Sequence, residues 1–285
     1  MDVAGRAEPS ATPEYIERIQ AYMAKALKEA KINTSWIQPN EPWDSAMNEF
    51  VARVLDPSLK NKFLPSFLPI AEEIARLGAI NSLSQVALKL IAPGVPDIYQ
   101  GNEIWDFSLV DPDNRRPVDY ERRREMLRSL EAASPVEFLQ HWPDGRIKLL
   151  LTQRLLRFRR ELPLLFQQGI YLPLTVTGAF AESCIAFARE HEGKWIAVLV
   201  PRLSSRVGFP PIGEAWKETA AQLPPSLPLE NARELFTGRD LRLENGALKL
   251  SEAMATLPFA VYANSRSGDL KSPFSLGRRF QIATP

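Results

Sequence analysis

Cysteine occurs once, at Cys184, and histidine twice, at His141 and His191, in a chain of 285 residues. A single cysteine excludes an intrachain disulfide. With two distant histidines that have no ligand spacing around them, it also excludes a cysteine- or histidine-rich metal site. No run of about 18 apolar residues is present, so no membrane-spanning helix is expected. The opening segment MDVAGRAEPSAT lacks an apolar core of signal-peptide length, and residues 1–12 are expected to be a disordered N-terminus. Charge of one sign is also missing: 35 Lys and Arg against 34 Asp and Glu leave +1, which argues against nucleic acid or an anionic membrane as partners. The clusters Arg122, Arg123, Arg124 and Arg157, Arg159, Arg160 read as solvated helix faces. These absences point to a soluble protein in a reducing, cytoplasmic setting.

The composition, 45% hydrophobic and 24% charged, suits a globular protein with one large or two modest domains. The first 92 residues read as helices. Thr12 is a candidate N-cap followed by Pro13, and apolar residues recur from Tyr15 and Ile16 to Leu27 at helical spacing. A second helix follows Asn40, with Met47, Phe50 and Val51 on one face. A third runs through Phe67, Ile70 and Ile74 to Gly78, expected as its C-terminal stop. A short helix, Leu83 to Leu90, is then expected to start at Asn81. Trp36 and Trp43 read as core or helix-docking residues.

Pro93-Gly94-Val95-Pro96-Asp97-Ile98-Tyr99-Gln100-Gly101 brackets a short apolar run with prolines and glycines, as a strand buried between helices would. A polar loop follows to Pro117. Further helices are expected near Asp119–Leu130, after the capping box Ser134-Pro135-Glu137, and through Ile147–Phe158. After about residue 165 the pattern turns to strands. Ile185–Ala188 and Trp195–Val200 read as a hairpin around Glu192-Gly193. Asn245-Gly246 is a two-residue turn signal between Leu241/Leu243 and Leu248/Leu250. Leu257–Ala263 is another strand, and the proline-rich stretch 201–230 reads as loop. An antiparallel β-sandwich is the expected architecture of this half.

The segment from Pro93 to Tyr120, PGVPDIYQGNEIWDFSLVDPDNRRPVDY, resembles the last barrel strand and following loop of the α-amylase family. With Ala24–Val51 (AKALKEAKINTSWIQPNEPWDSAMNEFV) and Gly78–Gly101 it is similar, more narrowly, to the maltooligosyltrehalose synthases. The resemblance covers roughly residues 13–160 and is weak over the β-rich remainder. It implies a C-terminal portion only, because a whole (α/β)8 barrel needs about 250 residues. The expected fold is therefore an α+β fragment. Residues 13–164 form a helical region with the final strand of an incomplete (α/β)8 barrel at about Val95–Tyr99, and residues 165–285 form a C-terminal β domain.

The family reaction uses a retaining pair of carboxylates about 5–5.5 Å apart, and the released glucose rotates and is rejoined as an α,α-1,1 trehalose end. The family's catalytic motifs are absent. His141 precedes Trp142 and His191 precedes Glu192, so no His-Asp dipeptide exists. No catalytic residue is assigned, and the chain alone is expected to be inactive without the N-terminal catalytic half, in cis or in trans. No cofactor or metal is implied.

The resemblance places substrate contacts to a maltooligosaccharide at Tyr99, Gln100, Glu103, Trp105, Asp106, Asp111, Asn114 and Arg115. Each has a plainer reading beside it: packing for Tyr99 and Trp105, loop bracing for Glu103 and Asp106, and a loop-stabilising ion pair for Asp111, Asn114, Arg115 and Arg116. Asp97 reads as a structural aspartate or a general acid. Cys184 reads as packing. Such a fragment would expose apolar surface from its helical region. An alternative is a non-catalytic module that binds α-glucan or a partner protein, and a third is a fragment of a hydrolytic amylase or another glucanotransferase.

Overall fold

The computed structural model describes residues 12–59, 62–109, 111, 113–131 and 133–264. Two compact units divide the chain: Met1–Arg76 with Gln100–Asp119, and Leu77–Tyr99 with Tyr120–Pro285. Of the twelve residues expected to be unstructured, 1–11 lie outside the described residues, and Thr12 caps a helix.

In the first unit, α1 (Pro13–Ala30) starts where the Thr12 side chain accepts the Tyr15 N–H, with Pro13 in the first turn. It ends at Lys31 in the left-handed region. Helix α2 (Glu41–Leu55) starts the same way, with Asn40 accepting the Trp43 N–H. Polar bonds tie the two together: Thr34 Oγ1 donates to Asp44 at 3.3 Å, Lys28 lies 3.8 Å from Asp44, and Gln20 donates to the Asn48 carbonyl at 2.9 Å. Apolar packing is scarce, for α1 buries no residue and α2 buries Val51.

Helix α3 (Phe63–Ile91) differs from the sequence expectation, since one helix of 29 residues runs through both Gly78 and Asn81. Gly78 costs about 1 kcal/mol relative to alanine in a helix. The buried run Ile80, Leu83, Val86, Ala87, Leu90 and Ile91 that follows outweighs it. Pro69 removes one hydrogen bond, but it falls in the second turn. The part of α3 before Arg76 instead exposes Phe63, Phe67, Ile70 and Ile74, the last 63% accessible. Trp36 and Trp43 are likewise not core: Trp36 is 61% exposed, with the Lys28 ammonium 4.9 Å from its ring centre. Ile37, 91% exposed, and Phe50 add to the apolar surface expected of this region.

In the second unit, α4 (Tyr120–Ser129), α5 (Pro135–Gln140), α6 (Arg146–Glu161) and α7 (Pro163–Gln167) precede the strands. The capping box of α5 is present in full, with Ser134 and Glu137 each bonding the other's backbone N–H. A five-stranded antiparallel sheet follows, in the order β1-β3-β4-β8-β6. It comprises β1 (Ile170–Pro173), β3 (Cys184–His191), β4 (Lys194–Pro201), β8 (Ala260–Asn264) and β6 (Ala232–Glu234). A three-stranded sheet orders β2 (Thr175–Thr177), β5 (Ala220–Gln222) and β7 (Ala247–Lys249) as β2-β5-β7. One apolar cluster joins the sheets, with Ala186, Trp195, Leu199 and Tyr262 from the larger meeting Ala221, Leu248 and Trp216 from the smaller and its loops. The alternate residues Phe187, Ile196, Val198 and Val200 are buried too. They belong to the other face, where Ser84 of α3 donates to the Pro201 carbonyl at 2.9 Å and α7 lies against β3.

The β3–β4 hairpin turns at Glu192 and Gly193, both with positive φ, as its sequence requires. Asn245-Gly246 also turns with positive φ, but the hairpin expected around it shrinks to a single bridge, Glu244 to Ala247, because β7 pairs with β5 instead. Strand β5 lies inside the stretch read as loop, and β8 begins at Ala260 rather than Leu257. A short helix α8 (Leu250–Ala253) follows β7. Residues 95–99 form no helix and join no ladder among the described residues. A parallel barrel strand exists only through its neighbours, and Val95 is 98% exposed.

Candidate functional site

The loop that carries the sequence resemblance is anchored from α1. Arg18 and Lys25, two turns apart on one helix face, both reach it. The Arg18 guanidinium grips Asp113 with two parallel bonds, 3.0 Å to Oδ1 and 2.9 Å to Oδ2, and donates to the Phe107 carbonyl at 3.0 Å. Asp113 in turn accepts the Leu109 N–H at 2.6 Å, and Arg116 donates to the Asp113 carbonyl at 3.0 Å. Lys25 donates to the Asp111 carbonyl at 2.7 Å, while the Asp111 carboxylate pairs with Arg115. Asp106 accepts both the N–H and the hydroxyl of Ser108, closing a tight turn. A cleft of about 370 Å³ beside this clamp is lined by Glu14, Glu17, Arg18, Tyr22, Asp111 and Asp113, among others.

The hydrogen bond from Arg18 holds the Asp113 carboxyl below the usual carboxylate range, and the Asp113 bond raises Arg18 in return. Asp113 is thus ionised at neutral pH and carries no proton to donate to a leaving group. The loop's aspartates hold it in shape. Because the folded-state value is depressed, the pair's contribution is full above the ordinary aspartate value of about 3.9 and fades as pH falls below it. Asp113→Asn is expected to cost about 2 kcal/mol at pH 7 by urea unfolding. The gap from the parent protein should close as pH drops from about 4, and a gap that stays constant to pH 2 would contradict the ion-pair account.

Of the expected contacts in this unit, Gln100, Asp106, Asn114 and Arg115 are exposed, while Glu103 and Trp105 are half-buried. Tyr99, in the second unit, is 50% exposed. Asp97 is exposed rather than enclosed in a strand, and its carbonyl accepts from Lys89 at 3.0 Å. The sequence reading missed Arg18, Lys25 and the anchoring role of Asp113. The available signal was the spacing of Arg18, Tyr22 and Lys25, a polar-edged stripe on α1 at i, i+4 and i+7.

In the second unit two arginines fix the exit of α3 into residues 92–99. Arg159 donates to the carbonyls of Leu90 at 2.7 Å and Gly94 at 3.3 Å. Arg189, fully buried, donates to Ile91 at 3.3 Å, Phe166 at 3.2 Å and Gly169 at 2.7 Å. Two cations at a helix C-terminus satisfy its orphan carbonyls and oppose its dipole. Burial lowers the pKa of both guanidiniums, which nevertheless stay charged. Cys184 is buried and its thiol is pushed up to about 12, so it is no nucleophile. Among the described residues, no group of three or more His, Cys, Asp or Glu is arranged to hold a metal ion, and no helix is long and apolar enough to cross a membrane.

No family model matches the chain. A Mycobacterium tuberculosis protein bearing the name maltooligosyl trehalose synthase is 38% identical over 214 residues, 73% of this chain and 24% of that protein. The solved maltooligosyltrehalose synthase of Arthrobacter ramosus superposes with a TM-score of 0.72 at 32% identity, over 90% of this chain and 31% of its own length. The chain belongs with the C-terminal portion of the maltooligosyltrehalose synthases. A Sulfolobus tokodaii protein described as a hypothetical maltooligosyl trehalose synthase agrees, with a TM-score of 0.64 at 27% identity over 92% of this chain. The chain therefore spans about a quarter of the curated relatives' length and under a third of the solved ones'.

Proposed function

We propose that this chain supplies the last barrel segment, its substrate loop and a C-terminal β-sandwich to a maltooligosyltrehalose synthase. In this reading the catalytic carboxylates come from the family's N-terminal part, in cis or in trans, in the cytoplasm. The assembled enzyme breaks the terminal α-1,4 bond of a maltooligosaccharide with retention, turns the freed reducing glucose and rejoins it as an α,α-1,1 end. The chain's own residues bind and orient. Tyr99 and Trp105 offer aromatic faces to pyranose rings, and Gln100, Glu103, Asn114 and Arg115 meet hydroxyls. Arg18 and Lys25 hold the loop in place, and Arg159 and Arg189 hold the segment before it. No carboxylate pair of this chain takes the nucleophile and acid roles, and no cofactor takes part.

The observation that carries the reading is the apolar surface of the first unit, where Ile32, Trp36, Ile37, Phe50, Ile70 and Ile74 stand exposed. Patches of that kind mark faces made for other protein. The occupant proposed is the N-terminal barrel part that full-length relatives carry.

Mixing the chain with the N-terminal portion of the Arthrobacter ramosus enzyme should give a one-to-one complex by sedimentation. Fluorescence of an apolar dye bound to the chain should fall on mixing. A chain that stays monomeric, binds no dye and ignores the N-terminal portion would overturn this reading.

A further inference from the structure

We infer that the loop joining α1 to α2, residues 31–40, is the anchor by which the first unit docks: Trp36 and Ile37 enter an apolar pocket of the N-terminal barrel part, and Lys28 closes onto Asp44 as they do. The loop is built rigid. Thr34, 4% exposed, accepts the Asn40 N–H at 3.0 Å through its hydroxyl, and the Asn40 side-chain amide donates to the Asn33 carbonyl at 3.1 Å. Across the tip, the Ser35 N–H donates to the Gln38 carbonyl at 3.0 Å and the Gln38 N–H to the Ser35 hydroxyl at 2.9 Å. These bonds hold a tip that presents apolar groups to solvent: Ile37 is 91% exposed, Trp36 61% and, at the loop's start, Ile32 82%. A turn with its backbone bonds already made has little ordering left to lose on binding. Tryptophan is also among the side chains enriched where interfaces concentrate their energy.

Beside the tip lies an unfinished ion pair. The Lys28 ammonium stands 3.8 Å from Asp44 Oδ2, beyond hydrogen-bond reach, and 4.9 Å from the centre of the Trp36 ring. Thr34 donates to the same oxygen at 3.3 Å, while Asp44 Oδ1 is buried and has no hydrogen-bond partner among the described residues. A buried acceptor left unpaired calls for an explanation. Here one cation is shared between an exposed ring and a carboxylate, an arrangement that screening by solvent tolerates. Once a pocket covers Trp36 and drives water off, the attraction between the charges strengthens and an incompletely paired carboxylate becomes costly. Lys28 then completes Asp44, and the pocket wall replaces it against the ring. The occupant follows from length, since about two thirds of the solved relatives lies outside the part this chain matches. That choice of partner rests on the function proposed above, whereas the anchor and its slack ion pair do not.

The test mixes the full chain with the N-terminal portion of the Arthrobacter ramosus enzyme and measures affinity by calorimetry. Trp36→Ala should bind at least about 100-fold more weakly, with its urea midpoint unchanged because the side chain is exposed. Phe50→Ala, equally exposed on α2, should lose less than about fivefold. A double-mutant cycle of Lys28→Met and Asp44→Asn should show a coupling of about tenfold in affinity and a smaller one in the stability of the free chain. In a chain labelled with 5-fluorotryptophan, the Trp36 resonance, identified among six tryptophans by Trp36→Phe, should shift on mixing. Three results would each overturn this inference and leave the proposed function standing. They are a loss under about threefold in Trp36→Ala, a Trp36 resonance unmoved in the complex, and a Lys28–Asp44 coupling no larger in affinity than in stability. Self-association of the chain that Trp36→Ala abolishes would assign the face to a second copy and overturn it too. No complex with the parent chain would overturn both this inference and the proposed function.

Discussion

Replacing Glu234 by alanine is expected to remove about 4 kcal/mol from the stability of the sheet-bearing unit. Glu234 is 2% exposed, and its carboxylate accepts four bonds. The donors are the N–H groups of Phe236 at 2.9 Å, Thr237 at 2.6 Å and Val261 at 3.2 Å, and the Thr237 hydroxyl at 2.7 Å. The side chain thus closes the turn after β6 and ties it to β8. Burial raises its pKa, the four donors pull it back, and the charge of Arg154 is felt nearby. Alanine would strand the buried backbone N–H groups of Phe236 and Val261, each worth about 1–3 kcal/mol when left unpaired, and the part-buried one of Thr237. Glutamine keeps one carbonyl oxygen and should recover at least half of the loss. Urea unfolding checks this as a shift of midpoint at constant slope. An alanine variant within about 1 kcal/mol of the parent would contradict the satisfied-carboxylate account.

Arg189→Met is expected to cost about 3 kcal/mol and to loosen residues 88–94 locally. Methionine fills much of the volume but leaves the buried carbonyls of Phe166 and of Ile91 at the end of α3, and the part-buried one of Gly169, without their donor. Lysine should rescue little, because a point charge cannot address three carbonyls in the plane of a guanidinium fork. Beyond the midpoint shift, amide exchange at Ala92, whose N–H bonds the Leu88 carbonyl at 2.8 Å, should quicken more than exchange in β4. Uniform quickening across the unit would mean that Arg189 contributes general stability and does not fix the exit of α3.

What the sequence makes legible is local. The Ser134–Glu137 capping box, the caps at Thr12 and Asn40, and the Glu192-Gly193 turn each depend on residues within four positions of one another. What it hides is joined from afar. Arg18 and Asp113 are 95 residues apart, and Arg189 lies 98 from Ile91, so no window along the chain brings either pair together. Gly78 misleads because a helix stop and a tolerated interior glycine look alike until the packing of Ile80 to Ile91 is known. Trp36 reads as a core or helix-docking residue yet is exposed, since burial depends on what covers it. Residues 95–99 have the composition of a buried strand but lack ladder partners among the described residues. The loop's candidate contacts rested on resemblance. The structure adds the α1 clamp beneath them.

The most direct test of the central claim is loss of reducing ends from maltopentaose. The purified chain alone should produce none, even at high protein concentration. The chain mixed with the N-terminal portion of the Arthrobacter ramosus enzyme should consume reducing ends and yield a trehalose-ended product. Turnover by the chain alone, or a stable complex of the two that leaves every reducing end intact, would contradict the account.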